Sequence, residues 1–248
     1  MNVARRAWML AALLTAAAAP PAPVGASPAP AADSTHREVL TTDDARVQRL
    51  VLGPGASTGQ HTHAHPHIAV ALTGGELADV APDGSTRPRK MAEGALAFVP
   101  AGVAHALRNA GSATFRAVTV DLLRPQTGAR NRCGALLPGQ PLNCPDPASR
   151  KMGALLVPQM ATDQTVVSLL TLDPGADYRF QDTAMPPVVV ALEGTEAKAL
   201  VELNIAGAVG KGEKPMAGGD AVSTEPRSAL GLHNTGRTPA RFLVLEFK

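Results

Sequence analysis

The sequence predicts an all-β protein built from two tandem antiparallel β-barrels, and three observations predict it. Short apolar and β-branched runs recur along the chain, turn residues punctuate them at close intervals, and no stretch carries a long helical period. Many short strands at this spacing make an antiparallel sandwich or barrel. The third observation is an internal repeat. Pro174-Gly175 follows Pro54-Gly55 by 120 residues, Gly194 follows Gly74 by the same offset, and Asn234-Thr235-Gly236 follows Asn109-Ala110-Gly111 by 125. Such offsets are expected of a duplicated domain with a small insertion. The apolar content, 45% of 248 residues, is enough to pack two cores.

From the N-terminus, Arg5 and Arg6 precede an apolar run over 7–19, and Val24 and Ala26 stand where a signal peptidase would cut. Residues 1–26 are therefore read as a cleaved export signal. The apolar run is too short to span a bilayer, so a periplasmic or secreted protein free of the membrane is expected. The arginine pair also fits a twin-arginine signal, and the export route stays open. Without the signal, 21 basic residues balance 21 acidic ones, no basic run remains and aromatics make up 3% of the chain. These features exclude nucleic acid and anionic membrane as partners.

Residues 27–36, rich in Ala, Pro and Ser, read as a flexible lead-in. The first domain spans 37–123, with strand-like runs at 47–52, 68–72, 95–99 and 115–122. Gly53-Pro54-Gly55, Gly74-Gly75, Pro82-Asp83-Gly84 and Asn109-Ala110-Gly111 separate them. Residues 124–155 are poorer in strand signal and form a connector holding the two cysteines, Cys133 and Cys144. In an exported chain this pair reads as a disulfide closing a short loop, worth about 2–3 kcal/mol. The second domain runs over 156–248.

The chemistry concentrates in the first repeat. Gly55 leads to His61, His63 and His67 before Gly74, and Gly94 leads to Pro100, Gly102, His105 and Asn109. Residues two apart on a strand share a face, so His61 and His63 can both enter a barrel. His67 returns after a turn, and His105 arrives on another strand. Five of the seven histidines lie in these motifs. Converging neutral imidazoles suit Fe, Ni, Cu or Zn, so the expected cofactor is one divalent transition metal held by His61, His63, His67 and His105. His65 falls between the ligands and is expected to point elsewhere. His36 and His233 have no partner in sequence and are expected on the surface.

These two motifs resemble those of the cupin superfamily, and the resemblance extends over both repeats. It implies two jelly-roll barrels and a metal bound in the first. One position departs from the family, which usually carries a glutamate where this chain has His67. The resemblance is therefore to the four-histidine cupins. A neutral imidazole there leaves the centre one charge more positive, disfavours Mn(II), and removes a possible acid–base carboxylate. Reactions that in the family rest on that glutamate, such as oxalate chemistry, are not expected.

In the second repeat the offsets replace the four histidines by Gln181, Thr183, Pro187 and Leu230. That half is read as a degenerate, structural barrel. Alternation in the first repeat turns Ala69 and Ala71 inward with His67, leaving room beside the metal, and turns Ile68, Val70 and Leu72 outward. The outward face needs a cover, either Val188, Val190 and Leu192 of the second barrel or a second copy of the chain in a homo-oligomer.

Four histidines in an octahedral geometry leave two positions free, enough for a bidentate substrate or for substrate and dioxygen. The expected activity is a cofactor-independent dioxygenase acting on a small phenolic, flavonol or dicarbonyl molecule, with Fe the leading metal. Two other classes compete: a metal-dependent isomerase or lyase, and a non-catalytic binder of a small molecule or metal. No general base is evident in sequence, since Glu76 lies past the ligand strand and Tyr178 is in the degenerate half.

Overall fold

The computed structural model describes residues 34–145, 151–180, 184–205 and 208–248, and these form strands and turns without a helix. In the first unit, one sheet runs in the order β1 (Ser34–Thr41), β2 (Ala45–Leu52), β9 (Phe115–Leu122), β4 (His67–Ala71), β7 (Leu96–Val99). The opposing sheet runs β3 (His61–Thr62), β8 (Ala104–Asn109), β5 (Gly75–Val80), β6 (Thr86–Met91). Every paired edge is antiparallel, as jelly-roll connections require. Leu50, Ala71 and Ala117 of one sheet meet Leu77 and Met91 of the other in a buried core.

The second unit repeats this order. Its sheets run β10 (Arg130–Asn131), β11 (Ala154–Ala161), β12 (Thr165–Leu172), β19 (Ala240–Phe247), β14 (Val188–Ala191), β17 (Ala221–Val222), and β13 (Asp177–Arg179), β18 (Ala229–Asn234), β15 (Ala197–Ile205), β16 (Ala208–Met216). Apart from the added β10, each strand has its counterpart in the first unit. The repeat landmarks do the same work in both. Asn109 donates its side-chain amide to the carbonyls of Leu52 and Ala113 and accepts from Gly111 N–H. Asn234 bonds Leu172, Thr238 and Gly236 in the same way. Gly55 and Gly175 turn the chain at φ of 75° and 74°, where a side chain would strain the backbone, and donate to the carbonyls of Asn109 and Asn234.

The two units pack through the faces that alternation turns outward. Ile68, Val70, Leu72, Val118 and Val120 share one buried cluster with Val188, Val190, Leu192, Leu243 and Leu245. The cover for the first barrel is thus the second barrel of the same chain. Arg49 reaches across the rim to the carbonyl of Gly219 at 2.8 Å, and Arg116 pairs with Glu193 at 2.9 Å.

The structure joins Cys133 to Cys144 in a disulfide. Several strands depart from the sequence expectation. β1 begins at Ser34, inside the stretch read as lead-in, because its register with β2 extends to Leu52. β11 begins at Ala154, inside the stretch read as connector. β6 falls outside the strand-like runs of the sequence, yet it is an edge strand, where Pro88 and exposed Arg and Lys side chains are tolerated. The export signal lies outside the described residues.

Candidate metal centre

The centre is assembled from two cross-strand pairs and one linking residue. On one sheet, β3 and β8 place His61 opposite His105. On the other, β4 and β9 place His67 opposite Asp121. His63 sits on the connection between the sheets and touches both pairs. Its ring lies 4.8 Å from that of His61, 3.9 Å from that of His67 and 5.6 Å from that of His105. The connection is pinned from two sides: Gly102 N–H donates to the carbonyl of His63 at 3.0 Å, and Leu122 N–H to that of Pro66 at 2.9 Å. The Pro100–Gly102 turn therefore anchors the ligand loop as well as delivering His105.

His61, His63, His67 and His105 all line one cavity of about 50 Å³. Their nitrogens fall into two overlapping groups. His61, His63 and His105 form one, and His63, His67 and Asp121 the other, each with its donor atoms within 4.8 Å of one another. His61 Nδ1 lies 3.0 Å from the carbonyl of Gly59, a contact that holds the ring proton on Nδ1 and leaves a lone pair on Nε2. That Nε2 is 3.0 Å from Nε2 of His63, close to the separation of two neighbouring ligands each about 2.1 Å from a shared ion.

Burial and neighbouring rings lower the pKa of His61, His67 and His105. Burial, then the neighbouring His63, pushes His67 down to about 3. Burial, then His61 and His63, lowers His105 to about 4. His61 is lowered chiefly by burial. A neutral imidazole is the form that binds a metal, so little proton competition remains near neutral pH. His67 Nδ1 is buried without a hydrogen-bond partner, a costly arrangement that a bound ion or a small reorientation would relieve. The donor set and the unpartnered buried nitrogen fit a transition metal.

The structure places the remaining sequence candidates as follows. His36 is exposed, as expected, but not isolated: it lines the cavity, 6.4 Å ring to ring from His61, and partial burial followed by His61 lowers its pKa. His233 has a partner in Asp177, 2.9 Å away. His65 joins neither donor group. Glu76 is exposed and faces away from the cavity, opposite Lys90. The residue sequence reasoning missed is Asp121, 3% exposed and beside the histidines. Its signal was available, since alternation along 115–122 puts the Asp121 carboxylate on the same face as Ala117 and Thr119. In the second unit, Pro187 and Leu230 are buried and apolar, and Leu230 packs with Phe180, Leu232 and Met216. Gln181 and Thr183 lie outside the described residues.

Next to the cavity runs an open groove of about 740 Å³ between the edge strands β6 and β7. His105, Asp79, Arg89 and Val99 line both spaces. One wall of the groove carries Arg87 and Arg89, and the other Phe98, Val99 and Val103.

Fold and site together define an all-β protein of the cupin architecture with a histidine-lined barrel. Residues 48–121 match the cupin domain family, a span that runs from β2 almost to the end of β9. No curated protein matches the sequence. Among solved structures, AerE from Microcystis aeruginosa is similar with a TM-score of 0.60 at 14% identity, over 87% of this chain and 98% of that one. Oxalate decarboxylase from Bacillus subtilis is similar with a TM-score of 0.58 at 14% identity, over 86% of this chain and 72% of that one. Vicilin from Capsicum annuum is similar at 11% identity and a TM-score of 0.57, over 82% of this chain and 75% of that one. At these identities the likeness is one of fold.

Proposed function

We propose that this chain is an exported two-barrel cupin whose first barrel holds one transition metal on His61, His63, His67 and His105, and that it acts as a cofactor-independent dioxygenase on a small organic molecule. The observation that carries this reading is the gathering of four imidazoles, from two sheets and the loop between them, around one cavity that adjoins a groove. A bound iron would supply Lewis acidity and redox chemistry toward dioxygen. The protein's own contribution is to disfavour protonation of His61, His67 and His105, to exclude bulk water from the small cavity, and to orient the substrate in the groove.

The groove suits the substrate class. A deprotonated phenol or the enolate of a dicarbonyl is an anion with an apolar body, and Arg87 and Arg89 face Phe98 and Val103 across the space. The Cys133–Cys144 bond fits an oxidising compartment, where reduced nicotinamides are not expected and electrons must come from the substrate. The second barrel, packed with apolar side chains, is a structural half.

Metal analysis combined with oxygen uptake on phenolic and dicarbonyl compounds tests the reading. About one iron per chain with substrate-dependent uptake supports it. Turnover of such compounds without uptake would point to an isomerase or lyase. The narrowness of the cavity favours one further alternative, a metal-binding protein without turnover, which predicts bound metal and neither activity.

A further inference from the structure

The carboxylate of Asp121 has two distinct halves. Oδ2 is clamped by Arg46, which donates from Nη2 at 2.7 Å and from Nε at 3.1 Å. Oδ1 is buried and has no hydrogen-bond partner, and it lies 3.6 Å from Nδ1 of His63. Strand register makes this arrangement, since Arg46, Asp121 and His67 are consecutive cross-strand neighbours on β2, β9 and β4. On the far side of the His63 ring, Nε2 faces Nε2 of His61 at 3.0 Å.

An ionised carboxylate can only accept, and a buried acceptor without a donor is costly. The donor within reach of Oδ1 is His63, and a closure of a few tenths of an ångström brings the two into hydrogen-bond range. We propose that Asp121, held by Arg46, is the positioning residue of the metal centre: it keeps the His63 proton on Nδ1 and so turns an unprotonated Nε2 toward His61 and the metal. This rests on the metal-binding reading above. Carboxylates that take the second ring proton of a ligating histidine fix both its tautomer and its orientation.

The same geometry explains how a site whose ligands are all imidazole still contains a negative charge. The chain lacks a carboxylate at position 67, but β9 places one directly opposite His67. In the second unit the register-equivalent residue is Glu246, flanked by Val166 on β12 and, just before β14, by Pro187 in place of Arg46 and His67. There it has neither the arginine clamp nor a histidine to orient.

The decisive variant is Asp121→Asn. Arg46 can only donate, so it will hold the amide oxygen and turn the amide NH₂ toward His63, whose Nδ1 must then accept and whose proton moves to Nε2. NMR of isotope-labelled imidazole nitrogens in the metal-free protein reads this directly. The expected result is a His63 that carries a proton on Nδ1 in the wild type and none there in Asp121→Asn, and about 10- to 100-fold weaker Co(II) binding by that variant. Asp44→Asn is the control, a buried carboxylate paired with Arg124 outside the cavity, and it should change neither readout. A wild-type His63 without a proton on Nδ1 overturns the inference without recourse to any variant. So does an Asp121→Asn protein whose tautomer and Co(II) affinity match the wild type. Wild-type protein that binds no metal while His63 is protonated on Nδ1 would instead overturn the metal-binding reading.

Discussion

At the residue scale, the question raised by position 67 has become one of geometry. His67 is 3% exposed, lines the cavity and shares a donor group with His63 and Asp121, whereas His65 joins no donor group. His67→Ala is expected to weaken metal binding by at least about tenfold while His65→Ala leaves it unchanged. His67→Glu should retain binding and shift preference toward Mn(II). Equal affinities for the two alanine variants, measured by competition with a chromophoric chelator, would reduce the site to three histidines. The pH dependence of the metal-free protein follows from the same residue. Burial and His63 hold its pKa at about 3, against an ordinary 6.5. The unfolded chain therefore takes up a proton that the folded chain refuses. Its contribution to stability is full above pH 6.5 and is lost as pH falls toward 3. From about pH 6 to pH 4 the slope from this residue is at most about 1.4 kcal/mol per pH unit. Denaturant unfolding across that window should show a shallower fall for His67→Gln, and an unchanged slope would mean that the ring protonates in the fold.

At the element scale, β9 carries most of the consequences. It lies between β2 and β4, supplies Val118 and Val120 to the unit interface on one face, and presents Ala117, Thr119 and Asp121 to the barrel interior on the other. A register slip of one residue would exchange those faces. The asparagine turn helps to hold the sheet ends together. Asn109 is 1% exposed and bonds three backbone groups, so Asn109→Ala leaves two carbonyls without that donor and is expected to cost about 2–3 kcal/mol. Asn234→Ala should cost a similar amount, because its bonds are the same. Urea unfolding of both variants checks this, and a loss below about 0.5 kcal/mol in either would show that water replaces the side chain. By contrast, β6 was hidden in sequence because it is an edge strand exposed over most of its length, with Met91 its buried residue, and shows no apolar alternation.

At the scale of the molecule, the two units share a topology and divide the chemistry between them. The first barrel lines its cavity with imidazoles, and in the second Leu230, in the place of His105, packs with Phe180, Leu232 and Met216. Elemental analysis should therefore find about one equivalent of metal per chain. Two equivalents would mean that the second unit binds as well. The interface predicts coupled stability. Val70→Asp would place an unpaired carboxylate in the apolar cluster between the units, and it is expected to destabilise the whole chain by more than about 3 kcal/mol. A variant that unfolds with wild-type stability would indicate that the units are not held by this face.

The sequence by itself determined the all-β class, the duplicated unit, the histidine motif, and which apolar face of the first barrel needed a cover. These are local properties: period-two alternation, turn residues and histidine spacing are written in neighbouring positions. Only the tertiary structure decided that Asp121 and Arg46 stand in register with His67, that His36 lines the cavity, and that the groove between β6 and β7 adjoins His105. Those relations join residues up to about 75 positions apart through strand pairing and the closing of two sheets. No local pattern specifies them, because register across a sheet depends on every strand that lies between.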